Sequence, residues 1–372
     1  MSRVARVACP SYDLARGALE RALELLASPE PLAGRHEPLL IKPNLLAPHP
    51  PATAVTTHPA VVEAAIVVAK DLGARPAVGD SPGLHSAARA ARVAGIEAVC
   101  RRHGVPLLDL GMGGAETISG PTYRGLVLAR EAVEARWLWN LPKWKTHTMM
   151  GLTLGIKNLY GCVPGKRKVA VHFRAGKDAA AFARQLLDLE HLLHPRLTVL
   201  DGVVAMEGAG PSRGTPVDLG LLLASTDAPA LDWEATRLSG FAPGDVPTVA
   251  ASIAEGRLEP ARVQVVGDPA QPRPLRPAPG SPCDWPLPGP LKRLAKGIVS
   301  PLPRFAAELC SGCGVCVEAC PGRALRPGTP PELTQEACMR CYCCQELCPM
   351  GAATVPSRHL SSMVSWRSWR GR

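Results

Sequence analysis

Two runs of cysteine near the end of the chain constrain its fold more than any other feature. One reads Cys310-Ser-Gly-Cys313-Gly-Val-Cys316-Val-Glu-Ala-Cys320-Pro321, the other Cys338-Met-Arg-Cys341-Tyr-Cys343-Cys344-Gln-Glu-Leu-Cys348-Pro349. Each follows C-x2-C-x2-C-x3-C-P, so the segment is an internal repeat with a period of about 28 residues. Nine of the thirteen cysteines fall in it, whereas Cys9, Cys100, Cys162 and Cys283 are scattered singly. The N-terminus, Met1-Ser-Arg-Val-Ala-Arg-Val-Ala-Cys-Pro10, has neither the apolar core of a secretory signal nor paired arginines. No apolar run approaches the ~18–20 residues of a membrane span. The chain therefore reads as cytoplasmic, where clustered cysteines argue for metal or catalysis rather than disulfides.

The spacing has a chemical reason. Three thiolates on a tight loop grip three irons of one cubane, and the fourth cysteine opens a helix that leads away to a second cluster. Cys310, Cys313, Cys316 and Cys348 are thereby expected on one 4Fe-4S cluster, and Cys338, Cys341, Cys344 and Cys320 on the other. Gly312, Gly314, Gly322 and Gly351 let the backbone approach the sulfides. Residues 305–355 resemble the bacterial two-cluster ferredoxin domains. Paired C-x2-C also suits zinc, but two complete runs with a trailing proline favour iron–sulfur. Cys343 departs from the pattern, either as a bystander or as a replacement for Cys344 in a shifted loop; the regular x2 spacing favours Cys344.

At ~150 residues per domain, 372 residues allow one large domain beside this small one, and a hydrophobic content of 46% supplies its core. Apolar segments over 39–41, 75–80, 105–110, 136–141, 197–204, 219–224 and 262–266 read as strands. Helical spacing over 58–73, 87–103 and 178–193 separates some of them. The alternation predicts an α/β domain over 1–268, its sheet mainly parallel with helices on both faces. Eleven prolines in 269–303 mark a linker or extended wrap over 269–304. A small α+β ferredoxin-like domain over 305–356 follows. The basic tail 357–372, with Trp366 and Trp369, reads as a frayed end, a docking peptide or membrane-surface contact being the alternative.

The net charge of +10 permits an anionic partner without demanding one. The makeup of that charge says more. Arginine outnumbers lysine 32 to 10, yet Lys143, Lys145, Lys157, Lys166 and Lys168 crowd into 26 residues. A compact ammonium whose pKa shifts on burial suits an anionic substrate or proton transfer. Lys166-Arg167-Lys168 reads as a solvated run. Lys143, Lys145, His147 and Lys157 are the candidate catalytic residues; Lys157 falls in an apolar stretch, expected as helix, where an unpaired charge is costly. In a parallel sheet, ligands bind beyond the carboxyl ends of the strands. Those ends offer Lys42, Asn44, Asp80, Asp201 and Glu207 as substrate-binding candidates, with Ser81, Asp109 and Asp227 near them. The loop Glu207-Gly-Ala-Gly-Pro-Ser-Arg-Gly214 has backbone amides to offer an anion, but no Walker A or G-x-G-x-x-G fingerprint is present. Trp144 between two lysines is a single basic–aromatic triplet, too little for a nucleic-acid surface.

These residues also carry a resemblance to the domain of unknown function 362 family. The matching stretches are Ile41-Lys-Pro-Asn-Leu45, Thr57-His-Pro59, Val78-Gly-Asp-Ser-Pro-Gly83, Leu141-Pro-Lys-Trp-Lys-Thr-His147, Gly155-Ile-Lys-Asn-Leu-Tyr-Gly161, His172, and Asp201-Gly202 through Glu207-Gly-Ala-Gly-Pro211. The resemblance covers about residues 5–270. It implies an α/β domain in an iron–sulfur protein and no particular reaction. The expectation is a ferredoxin-type oxidoreductase that moves electrons to or from a small anionic substrate or a redox partner protein. A non-enzymatic electron carrier or docking subunit, and a cluster-transfer scaffold, are the alternatives.

Overall fold

The computed structural model describes residues 1–281 and 301–356, apart from 29, 84, 166 and 177. Cys283, Lys166, residues 282–300 of the expected linker and the basic tail lie outside the described residues. The chain opens with β1 (Ser2–Ala8) and α1 (Ala15–Leu26), two elements ahead of the first expected strand over 39–41. β2 (Pro38–Pro43) is buried from Leu39 onward, as a strand must be when helices cover both faces of a parallel sheet. α2 (Pro59–Asp71) starts where Pro59 fills the first turn and the His58 ring accepts from Ala60 N at 3.2 Å. β3 (Arg75–Asp80) follows. The single helix expected over 87–103 is two, α3 (Ala87–Val93) and α4 (Ile96–Arg102), because Gly95 between them takes φ +76°.

β4 (Leu107–Asp109), the hairpin β5 (Ala115–Ile118) and β6 (Leu126–Ala129), and the short α5 (Arg130–Val133) lead to β7 (Trp137–Leu141). The sequence reading expected a helix directly after this strand. Instead the chain bends at Pro142, resumes as β8 (Lys143–His147) and turns back as β9 (Gly151–Thr153). Only then come α6 (Gly155–Asn158), α7 (Arg167–Ala175) and α8 (Ala179–Leu193). A long hairpin of β10 (Leu197–Glu207) and β11 (Thr215–Ser225) precedes α9 (Ala228–Leu238), α10 (Pro247–Ala254) and β12 (Val263–Gly267).

The strand order is β12-β1-β11-β10-β7-β2-β3-β4. Pairing is parallel from β10 through β7, β2 and β3 to β4, and antiparallel on both sides of β11. One face packs Leu19, Val62, Ile66 and Ile96 against the sheet; the other packs Ile156, Phe182 and Leu186. β10 is shared between two neighbours: Leu197 and Thr198 pair with β7, whereas Asp201 and Met206 pair with β8. β8 thus prolongs the sheet beyond the carboxyl end of β7 and carries alternate lysines with it.

Residues 269–281 run as extended chain along the domain, with Arg273 N and Leu275 N donating to Leu238 O and Ser239 O. The cysteine module that follows pairs β13 (Arg304–Phe305) with β16 (Ala353–Thr354), and β14 (Leu325–Arg326) with β15 (Glu332–Leu333). Between them lie two short helices, α11 (Val315–Glu318) and α12 (Cys343–Leu347). α12 and the residue after it dock on the large domain. Thr148 Oγ1 donates to Gln345 Oε1 and Ser212 Oγ to Glu346 O, both at 2.9 Å, and Arg213 Nη2 donates to Cys348 O.

Candidate functional site

Lys42 is the penultimate residue of β2 and Asp80 the last of β3, so parallel pairing of the two strands brings their side chains together at the carboxyl end of the sheet. Lys42 Nζ lies 2.8 Å from Asp80 Oδ1, with both side chains buried. Asp80 also accepts from Leu45 N and Ser81 N, at 2.8 and 2.9 Å. Gly161 passes so close that a β-carbon there would collide with both members of the pair. Two residues along β8, Lys143 and Lys145 present their side chains on one face. Lys143 Nζ pairs with Asp201 Oδ2 at 2.7 Å and donates to Tyr12 Oη at 2.8 Å. Asp201 further accepts from Tyr12 Oη and His58 N. Lys145 has no carboxylate within ion-pair distance among the described residues; its ammonium donates to Val55 O at 2.7 Å, a carbonyl shared with Asn44 Nδ2.

Lys42, Asp80, Lys143, Lys145, Lys157 and Lys168 face one cavity. Its apolar walls include Leu46, Pro142, Leu154 and Val169, and Asn158, Tyr160 and His172 complete the polar lining. Lys157 comes from α6, whose first amides at Gly155 and Ile156 are held by the buried Asp232 carboxylate. Its Nζ lies 5.8 Å from the centre of the Tyr160 ring and donates to none of the described residues. Lys168 turns inward from α7 and donates to Ser81 O at 2.7 Å and to Val163 O.

Taking charges out of water dominates the electrostatics. Burial pulls the Lys145 ammonium down to about 7; Glu346 opposes this, and the charges of Lys157 and Lys143 add to it. Burial likewise lowers Lys168 to about 8, with Asp80 opposing. His147 and His172 are pushed down to about 4 and about 3 by burial, with Lys157 contributing, so both rings are neutral at pH 7. His147 Nδ1 accepts from Met149 N and Met150 N. Its proton is therefore on Nε2, which has no hydrogen-bond partner among the described residues, as is true of His172 Nδ1.

The far wall of the cavity comes from the cysteine module: Ala319, Cys343, Glu346 and Leu347. Glu346 Oε2 stands 3.6 Å from His147 Nε2. Burial works against its ionisation, yet His147 and Lys157 outweigh that and hold its carboxyl well below the usual range. Within the module, one cavity is lined by Cys310, Cys313, Cys316 and Cys348, and a second by Cys320, Cys338, Cys341, Cys343 and Cys344. The last cysteine of each run thus lies with the first three of the other. None of the described cysteines is in a disulfide. Two hollows ringed by thiols suit polynuclear iron–sulfur clusters. Cys343 lines both the second hollow and the lysine cavity.

The structure brings together Lys42, Asn44, Asp80, Lys143, Lys145 and Lys157. Asp201 stands behind Lys143, and His147 stands behind Glu346. Glu207 is not with them, because the Gly-rich loop is the β10–β11 hairpin turn and its carboxylate faces Arg276, accepting from Arg276 N at 3.0 Å. The solvated reading of Lys166-Arg167-Lys168 holds for exposed Arg167 and fails for Lys168. Tyr160, His172 and Glu346 are additions to the candidate set, and Glu346 had no signal in sequence because its neighbours come from the other domain.

A family model described as Domain of unknown function (DUF362) matches residues 39–237, and a 4Fe-4S binding domain model matches residues 303–326. A thylakoid-associated protein of Synechocystis sp. is 37% identical over 275 residues, covering 71% of this chain and 85% of that protein. Among solved structures, the lactate racemase apoprotein from Thermoanaerobacterium thermosaccharolyticum matches with a TM-score of 0.45 at 16% identity. That match covers 64% of this chain and 57% of the racemase. No described helix is long and apolar enough to cross a membrane.

Proposed function

The chain belongs to the family described as Domain of unknown function (DUF362) and carries a 4Fe-4S binding domain, and on that footing we propose that it holds two 4Fe-4S clusters that move electrons to or from a small anionic substrate in the lysine cavity. One observation supports this above the others. α12 contributes Cys344 to the second thiol-ringed hollow and Glu346 to the lysine cavity, with Cys343 facing both. A cluster in that hollow is one side chain away from a bound substrate. Cys313, in the first hollow, is exposed, whereas Cys338 and Cys344, in the second, are buried. Cys310, Cys313, Cys316 and Cys348 would hold an outer cluster and Cys320, Cys338, Cys341 and Cys344 an inner one, between a redox partner and the cavity. The clusters supply single electrons. Lys145, Lys157 and Lys168 hold the anion, and the Lys145 ammonium is the group best poised to give up a proton. In the cytoplasm, where we place the protein, the thiols stay reduced and available to iron.

Anaerobic reconstitution tests the reading: about eight irons with matching sulfide per chain and EPR signals of reduced cubanes are expected. The small molecule that copurifies, identified by mass spectrometry, should reoxidise or rereduce those clusters. Zinc without sulfide would sink the cluster assignment. Alanine at both Lys145 and Lys157 leaving binding and turnover of that molecule unchanged would sink the site.

A further inference from the structure

Two side chains of opposite charge, Glu346 and Lys157, face the lysine cavity without a hydrogen-bond partner within 3.5 Å among the described residues. The Glu346 side chain is 16% exposed, and the Nε2 of the neutral His147 ring stands 3.6 Å away, beyond hydrogen-bond distance. Lys157 has the Tyr160 ring beside it and no carboxylate within ion-pair distance among the described residues. The other acids here are committed: Asp80 to Lys42, Leu45 N and Ser81 N, and Asp201 to Lys143, Tyr12 and His58 N. Ser212 holds the Glu346 carbonyl while Thr148 and Arg213 hold Gln345 and Cys348, so the backbone that carries Glu346 is tied to the large domain beside the cavity.

We propose that the ligand of this cavity carries both charges, an anionic group set against Lys145 and Lys157 and an amino or amidino group that donates to Glu346. Glu346 is then the specificity-determining residue: a plain dianion meets it as a like charge, whereas an amino-bearing anion closes both open contacts at once. The inference rests on the reading of the cavity as an anion site.

Calorimetry on the full-length, cluster-loaded protein under argon tests it with matched pairs. O-phosphoethanolamine is set against propyl phosphate, and 4-aminobutyrate against pentanoate, so that only an ammonium is exchanged for a methyl. The phosphate and carboxylate pairs tell which anion the lysines prefer. The amino member of the preferred pair is expected to bind at least about tenfold more tightly, about 1.4 kcal/mol. Glu346→Gln, with its iron content unchanged, should abolish or reverse that ratio. Equal binding of both members in a Lys157-dependent manner would overturn the second charge and leave the anion site standing. An unchanged ratio in Glu346→Gln would overturn the role of that residue. No binding of any of the four probes would remove the anion site, and this proposal with it.

Discussion

Asp201→Asn is the sharpest perturbation of the large domain. The carboxylate is fully buried and accepts from Lys143 Nζ at 2.7 Å, His58 N at 2.9 Å and Tyr12 Oη at 3.2 Å. An asparagine has one oxygen to offer; its amide nitrogen must face one of these donors. Lys143 keeps a buried ammonium without a counter-charge, and breaking such a pair from one side costs about 3–5 kcal/mol. At ~2–4 °C per kcal/mol this lowers the melting temperature by roughly 6–20 °C. The loss has a pH signature. Burial already pulls the Lys143 ammonium down, and removal of Asp201, which opposes this, pulls it further. The unfolded chain then binds more protons than the folded one below the ordinary lysine range. Stability of the variant therefore rises with pH, and its deficit at pH 9 is smaller than at pH 7. Near-UV circular dichroism under argon at a fixed scan rate measures this. The pair removed together, Asp201→Asn with Lys143→Met, should recover at least half of the loss. A single-variant deficit below about 1 kcal/mol, or a double variant no more stable than the single, would refute the account of an isolated buried charge.

Sulfate, whose charge does not change with pH in this range, should bind more weakly as pH rises through about 7 to 8, because Lys145 and Lys168 lose their protons there; affinity flat from pH 6 to pH 9 would contradict it. Cys343→Ala should retain about eight irons on reconstitution and Cys344→Ala about four, as iron and sulfide analysis will tell. Gly161→Ala forces a methyl against the Lys42–Asp80 pair and is expected to cost at least ~1–3 kcal/mol, read by thermal unfolding, with sulfate affinity falling alongside. Thr148→Val with Arg213→Ala removes two of the contacts that hold α12, and hydrogen exchange over 343–348 should speed up while 59–71 is unaffected.

Much of the large domain was legible because buried parallel strands write apolar runs that end in polar residues: Ile41 into Lys42, Val78 into Asp80. The crowded lysines line one wall of the cavity for a chemical reason, since a scarce residue type gathered in apolar surroundings must be solvated by the fold itself. The β8–β9 ribbon was illegible. Lys143-Trp144-Lys145 alternates as a strand does, but five residues are too few to separate that from a helix start, and the bend at Pro142 hides the continuation of β7. Glu207 was misplaced because Gly-rich loops serve hairpins as readily as anions. Glu346 was invisible in principle: its role comes from a contact between residues 199 positions apart, His147 and Glu346, and no local pattern encodes that.

The five-residue helix α12 is a wall common to two rooms. Under the proposed reading, loss of a cluster from the second hollow would loosen the wall on which Glu346 stands, so damage to the electron path and loss of the binding site would be a single event.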